Sequence, residues 1–186
     1  MRSIFVLAIW AALVFPGAPV HAATAERAAG EAGAIMRPMT AERLSRIVAA
    51  LDPDATRHGK GWRLIVGGQI VLLTADAEAG RLRAMVPIRS TDGLEAADLT
   101  RLMQANFDAA LDGRYAIARG ILWSVFVHPL PTLDKDHLIA GLAQVATLAQ
   151  TYGTLYSGGA LQFGGGDSGD LQRSLIDELT RRGDDI

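Results

Sequence analysis

The chain has 186 residues, of which 49% are hydrophobic, and its 18 basic and 20 acidic residues give a formal net charge of −2. Because no cluster of Lys and Arg stands out, neither nucleic acid nor an anionic membrane surface is indicated as a partner. The chain contains no cysteine, which excludes disulfides, zinc-thiolate sites, thiol nucleophiles and a lipid-modified N-terminal cysteine.

The N-terminal pattern indicates an exported protein. Arg2 precedes an apolar run from Ile4 to Phe15, which is shorter than the roughly 20 residues that span a bilayer. Prolines and small residues follow, and Ala22 offers a signal-peptidase site. We therefore expect residues 1–22 to be a cleaved signal peptide and the mature protein to be periplasmic or secreted, without contact to a membrane. An uncleaved N-terminal anchor is the alternative.

The next segments alternate between helical and strand patterns. Residues 23–39 are mostly Ala, Gly and Glu, which predicts a linker or a frayed helix. Thr40 then opens a helix that Asp52 and Pro53 close. Runs of branched residues between glycine turns predict three antiparallel strands after it. These strands are Trp62 to Val66, Ile70 to Thr74 and Leu82 to Ile88, with turns at Gly67-Gly68 and Ala79-Gly80.

The middle of the chain predicts a helix, a hairpin and a second helix. Asp98 is the expected N-cap of the first helix, and Gly113 is expected to end it in a left-handed conformation. Two strands then meet at Gly120, and the second ends at Pro129. Asp134 is the expected N-cap of the second helix. The apolar face of the first helix carries Leu99, Leu102, Met103, Asn106, Phe107 and Ala110.

The order of these elements predicts the fold class. Helix, three strands, helix, two strands and helix indicate an α+β domain over residues 40–156, with an antiparallel sheet of about five strands and helices packed on it. Residues 157–186 predict a glycine-rich linker and a short C-terminal amphipathic helix. A phosphate-binding loop is a weaker reading of the glycines, since no Gly-Lys-Ser/Thr ending follows them.

The reactive side chains converge on no established motif. No Gly-x-Ser-x-Gly elbow surrounds a serine, and no metal-ligand spacing is present. We therefore predict no catalytic residue, no metal and no cofactor. The alternative is an exported hydrolase or metal-dependent enzyme. Its candidate groups are His128, Asp134, Asp136 and His137, with Ser124 or Ser157 as a nucleophile.

The strand from Ile121 to His128 predicts an interaction surface instead. Alternate side chains of a strand face opposite sides, so Trp123 and Val125 share one face while Leu122, Ser124 and Phe126 share the other. One face meets the helices, and the other presents an apolar set of the kind that marks an interface. A partner peptide or a second copy of the chain is expected there. The predicted partner-binding residues are Trp123, Val125, Phe126 and Leu130. For Trp123 or Phe126 taken singly, packing in the core is the alternative.

Three segments carry a resemblance to a known family. They are QANFDAAL, ARGILWSVFVHPLP and LDKDHLIAGLAQVATLAQTYG. With Asn106-Phe107, a turn at Gly120 and a Leu-Pro exit before Asp134, the pattern resembles the YbjN family over roughly residues 40–153. The fold of that family is similar to the class I type III secretion chaperones, the Tir-chaperone-like proteins. The resemblance implies a bacterial regulator or chaperone-like protein and offers no catalytic residues. Together with the apolar strand face, it predicts a non-enzymatic protein that binds a protein or peptide, as a homodimer.

Overall fold

The structure is a computed structural model that describes residues 38–108, 111–153 and 168–183. The predicted signal peptide, its cleavage site, most of the predicted linker and the glycine-rich segment lie outside the described residues. Among the helices of the described ranges, none is long and apolar enough to cross a membrane.

An antiparallel sheet with helices packed against it confirms the predicted α+β class. In the described part of the chain the sheet has six strands, in the order β1-β2-β3-β4-β6-β5. The helices are α1 (Ala41–Leu51), α2 (Ala96–Asp108), α3 (Lys135–Gln150) and α4 (Ser168–Gly183). The strands are β1 (Thr56–His58), β2 (Gly61–Val66), β3 (Gln69–Asp76), β4 (Arg81–Ser90), β5 (Arg114–Ala118) and β6 (Ile121–Pro129).

The described helices all lie on the same side of the sheet, where α1, α2 and α3 contact the strands and α4 packs mainly on α1 and α3. The buried positions alternate along each central strand, as the burial of Leu82, Ala84 and Val86 in β4 illustrates. The partners of Ala84 and Val86 on β6, Phe126 and Ser124, are buried too. Helices α1, α3 and α4 share one core with this face. The other face of the sheet therefore carries no helix from the described residues.

Helix α3 approaches the sheet closely enough to require a glycine. A Cβ atom at Gly141 would lie 2.5 Å from the ring of Phe126. Side chains fix the same approach, since the Ser124 hydroxyl donates to the Val145 carbonyl at 2.6 Å. The buried Gln144 accepts from the backbone amides of Asp112 and Gly113, each at 2.7 Å. The segment that leads into β5 is thus held against α3.

Two local expectations are corrected. Asp98 is not the N-cap of α2, because the helix begins at Ala96 and the Asp98 carboxylate accepts from the Glu95 amide at 3.1 Å. This is the returning half of a capping box. Gly113 is not among the glycines with positive φ. Its lack of a side chain serves a close approach, since a Cβ there would lie 2.9 Å from Leu148.

The cap of α3 is as predicted. The Asp134 carboxylate accepts from the His137 backbone amide at 2.8 Å and contacts the His137 ring at 2.8 Å. Partial burial alone would raise the pKa of Asp134, but the amide and ring of His137 outweigh it and hold the pKa below its ordinary value. The charged form of Asp134 therefore stabilises the fold.

Adding a methyl group at Gly141 tests the contact between α3 and the sheet. Alanine gains up to about 1 kcal/mol over glycine in a helix, whereas overpacking a core costs about 1–3 kcal/mol. We expect Gly141→Ala to lower the free energy of unfolding, measured by urea denaturation. Phe126→Leu should be less harmful in that variant than in the wild type, because the smaller side chain relieves the clash. A Gly141→Ala variant more stable than the wild type would contradict the close approach.

Removing the carboxylate of Asp134 tests the cap. Asp134→Ala should lower the free energy of unfolding by about 1 kcal/mol at neutral pH. Because the pKa is lowered on folding, this contribution is present above the unfolded pKa and disappears as pH falls through the folded pKa. Asp134→Asn keeps an acceptor without a charge, so its stability should lack this acid-dependent part. Equal acid sensitivity of the wild type and Asp134→Asn would contradict the assignment.

Candidate functional site: the open face of the sheet

The face of the sheet without helices, called the open face below, is apolar at its centre. A row of side chains crosses it from β2 to β5, each directly opposite the next: Arg63, Leu72, Met85, Val125 and Arg114. Three apolar side chains are thus flanked by an arginine at either end. Because the helices that the structure describes lie on the other side of the sheet, this row faces away from them.

A trough runs along this face and includes Met85 and Val125 of the row. One depression of about 550 Å³ adjoins a second of about 690 Å³, and the two share Arg83, Met85 and Val127 in their walls. Val127 is 49% exposed. The trough is therefore elongated across several strands. The remaining residues of the first depression are Ala116, Ala118, Arg119, Trp123 and Val125.

Trp123 is the largest apolar group of the trough, and it is held in place. Its register partners are Pro87 of β4 and Ala116 of β5, whose small side chains leave room for the indole. The indole Nε1 donates to the Ala118 carbonyl at 3.1 Å. An aromatic group already fixed in the free protein loses little conformational freedom on binding, which favours affinity.

The hairpin turn places a cation at one end of the trough. Arg119 and Gly120 both have positive φ, 54° and 71°, as a two-residue turn of type I′ requires. Glycine adopts this conformation freely, while a non-glycine residue such as Arg119 does so uncommonly. The turn predicted at Gly120 thus also aims the Arg119 side chain into the trough wall.

The arginines of the open face are not neutralised from within the described chain. Arg63, Arg81, Arg83 and Arg119 form no ion pair with a carboxylate of the residues that the structure describes. Asp76, at one corner, is engaged locally: the Ala79 amide and the Lys60 ammonium, 3.6 Å away, hold its pKa below the usual range. The open face therefore combines an apolar centre with unpaired positive charge.

The structure divides the four predicted partner-binding residues between the two faces. Trp123 and Val125 lie on the open face, as the alternation along the strand predicted. Phe126 is 3% exposed and Leu130 is 8% exposed, both within the core under the helices. Sequence reasoning did not find Met85 and the arginines of the trough, because they belong to β4 or to a turn and join β6 only through the strand order.

A second apolar surface lies on the outer side of α2. Leu99, Met103 and Phe107 follow one another at spacings of four and form a stripe, which we call the α2 stripe. Phe107 is 75% exposed. Beside the stripe, α2 and β5 enclose a small apolar depression of about 150 Å³ that includes the exposed Ile117. Leu99 and Met103 of the stripe line this depression, and the exposed Phe107 follows Met103 by one helical turn.

Asn106 explains why α2 and the edge strand β5 stay together. Its side-chain oxygen accepts from the Tyr115 amide at 2.7 Å, and its nitrogen donates to the Tyr115 carbonyl at 3.1 Å. Both backbone groups of one edge residue are thereby occupied. Covering an edge in this way limits pairing with a strand of another molecule.

The groups of the enzymatic alternative meet at the start of α3 but are already engaged. The rings of His128 and His137 stack with centroids 6.0 Å apart, and Asp134 caps the helix. The hydroxyl of Ser124 is buried against Val145, while Ser157 lies outside the described residues. Within those residues, no group of three or more His, Asp or Glu side chains is placed to hold a metal ion.

Comparison with known proteins gives weak similarities. A chain of the ExsC-ExsE complex is 17% identical with a TM-score of 0.48, covering 60% of this chain and 92% of that chain. A chain of the HopA1-SchA chaperone-effector complex is 10% identical with a TM-score of 0.46, covering 59% and 91%. No family model and no curated protein matches the chain. Membership of the YbjN family therefore stays a prediction, and these similarities are too low to decide a function.

Proposed function

We propose that this chain is an exported, non-enzymatic protein that binds a protein or peptide partner along the open face, in a chaperone-like or regulatory role. The observation that carries the proposal is the apolar trough around Trp123 and Val125, uncovered by any described helix. Export is supported by the N-terminal pattern of Arg2, the apolar run and Ala22. No cofactor is needed for such a role.

The shape of the trough favours a chain over a compact ligand. Small-molecule sites are concave and bury most of their ligand, whereas this trough is shallow and extends over several strands. Neighbouring strands lie about 4.8 Å apart, so a row across five strands is about 20 Å long. A helical segment of about 14 residues has that length. Trp and Arg, both present here, are the residues enriched at the centres of protein interfaces.

We also propose a homodimer, formed through the α2 stripe and not through the open face. Two open faces would bring the unpaired arginines of both copies together, which like-charge repulsion opposes. The α2 stripe carries no charge of its own, and ridges at spacings of four pack well against each other. In a two-fold dimer the exposed Phe107 ring of each copy would cover the apolar depression of the other. Asn106 keeps β5 from pairing edge to edge.

Site-specific crosslinking tests partner binding. A photo-crosslinking residue at Val127 of the full chain, in its native host, should form one discrete adduct with a different protein. The adduct should be lost when Trp123→Ala is added, because the indole supplies most of the apolar contact. Mass spectrometry of the adduct provides the readout.

The same residue placed at Arg46, which is exposed on α1, is the matched control and should give no such adduct. If Val127 crosslinked only to a second copy of the chain, or if Trp123→Ala left the adduct unchanged, partner binding on the open face would be refuted.

Light scattering after gel filtration tests the homodimer. Phe107→Asp should convert a dimer to a monomer, because a charge would be buried in the apolar contact. Leu171→Asp changes an exposed leucine of α4 in the same way and should leave the mass unchanged. A monomeric wild type, or dissociation by Val127→Asp instead, would contradict the assignment of the α2 stripe.

A further inference from the structure

The charges of the open face narrow the chemistry of its partner. We propose that the segment bound there is acidic as well as apolar, with Asp or Glu side chains flanking large apolar ones. This inference rests on the proposed function and adds the sign of the charge that the bound segment carries. It follows from the unpaired arginines that surround the apolar row, which nothing in the described chain neutralises.

Arginines border the apolar centre on more than one side. Arg83 lies directly opposite Val127 and lines both depressions of the trough. Arg63 stands at one end of the apolar row, next to Leu72. Arg119 closes the trough at the hairpin turn. A segment that covers the apolar centre therefore removes water from several guanidinium groups at once.

The desolvation of these guanidinium groups favours an acidic partner over a neutral one. Covering a charged group without giving it a partner is costly, so a purely apolar segment would bind at a disadvantage. A carboxylate removes this cost, and the planar guanidinium fork accepts it in a two-bond geometry. The trough contains arginine and no lysine, which suits such directional pairing. A basic segment would meet repulsion at every flank.

The carboxylates already present do not fill this role. Asp76 lines the second depression, but its Oδ1 accepts from the amides of Glu78 and Ala79. Its Oδ2 and the Glu78 carboxylate both lie near Lys60, at 3.6 and 3.8 Å. This corner is a closed local arrangement. The positive charge along the trough is left for a ligand.

An anionic membrane and a nucleic acid are less suited to the same charges. The formal net charge of the chain is −2, which opposes approach to an extended anionic surface. Single-stranded nucleic acid uses several aromatic platforms for its bases, and the trough offers only Trp123. An acidic peptide needs only the local pattern of an apolar row with cationic borders.

A matched pair of peptides tests the inference. In the first, leucines form one helical stripe and glutamates flank them. In the second, lysine replaces every glutamate. Fluorescence anisotropy with the full chain should show the glutamate peptide binding about tenfold or more tightly than the lysine peptide. The difference should shrink as salt is raised, because salt screens exposed charges.

Charge reversal on the protein makes the test specific to the open face. Arg83→Glu should weaken binding of the glutamate peptide about tenfold and strengthen binding of the lysine peptide. The affinities of Arg83→Gln should lie between those of the wild type and Arg83→Glu. Arg46→Glu changes the net charge equally on α1 and should alter neither affinity. Circular dichroism confirms that each variant is folded, so that a loss of binding is not a loss of structure.

The outcomes separate this inference from the proposed function. Equal binding of both peptides that is lost with Trp123→Ala would overturn the acidic partner and leave the binding role intact. No binding of either peptide would overturn the inference, and the crosslinking at Val127 would then decide the function alone. A third outcome is that the chain binds phosphatidylglycerol vesicles more strongly than the glutamate peptide, with this binding abolished by Arg83→Glu. That result would overturn the acidic peptide and identify an anionic membrane surface as the occupant.

Discussion

The contact of α3 with the centre of the sheet is the constraint on which the molecule depends. Gly141 lets the helix lie directly on Phe126, and the core of α1, α3 and α4 gathers on that side. Ser124 and Gln144 then tie β6 and the entrance of β5 to the same helix. Within the described residues, the other face of the sheet is then left without a helix. The site is thus a consequence of how the core is built.

The two exposed apolar surfaces differ in charge, and this difference favours a different occupant for each. Both would be covered in a fully assembled state, because large apolar groups gain free energy when they leave water. The α2 stripe is uncharged, so an identical copy can cover it without burying a charge. The open face carries unpaired arginines such as Arg83, so an identical copy is its poorest occupant and a carboxylate-bearing chain is its best. Under the proposed function, the chain would bind its own copy and a different partner at separate surfaces.

The sequence predicted the local parts of this arrangement and missed the parts that depend on distant strands. Alternation along β6 separated Trp123 and Val125 from Leu122 and Ser124 correctly, because the two-residue period is a property of the strand itself. It could not tell which set the helices would cover, which is why Phe126 was included among the predicted contacts. Met85 joined the site only through the pairing of β4 with β6, which no local pattern encodes. Gly113 was predicted to end a helix, but a glycine is required there because a side chain would clash with Leu148 of α3.

The reactive side chains of the enzymatic alternative have structural roles in the fold. Asp134 caps α3, His137 pairs with that carboxylate, and the Ser124 hydroxyl bonds a helix carbonyl. Each of these polar groups has a structural partner that explains its presence. The side chains without such an explanation are the apolar and cationic groups of the open face. Trp123 is only half-buried, and tryptophan and arginine are residues that supply much of the affinity of an interface. The proposed partner binding therefore rests on the groups that folding leaves unused.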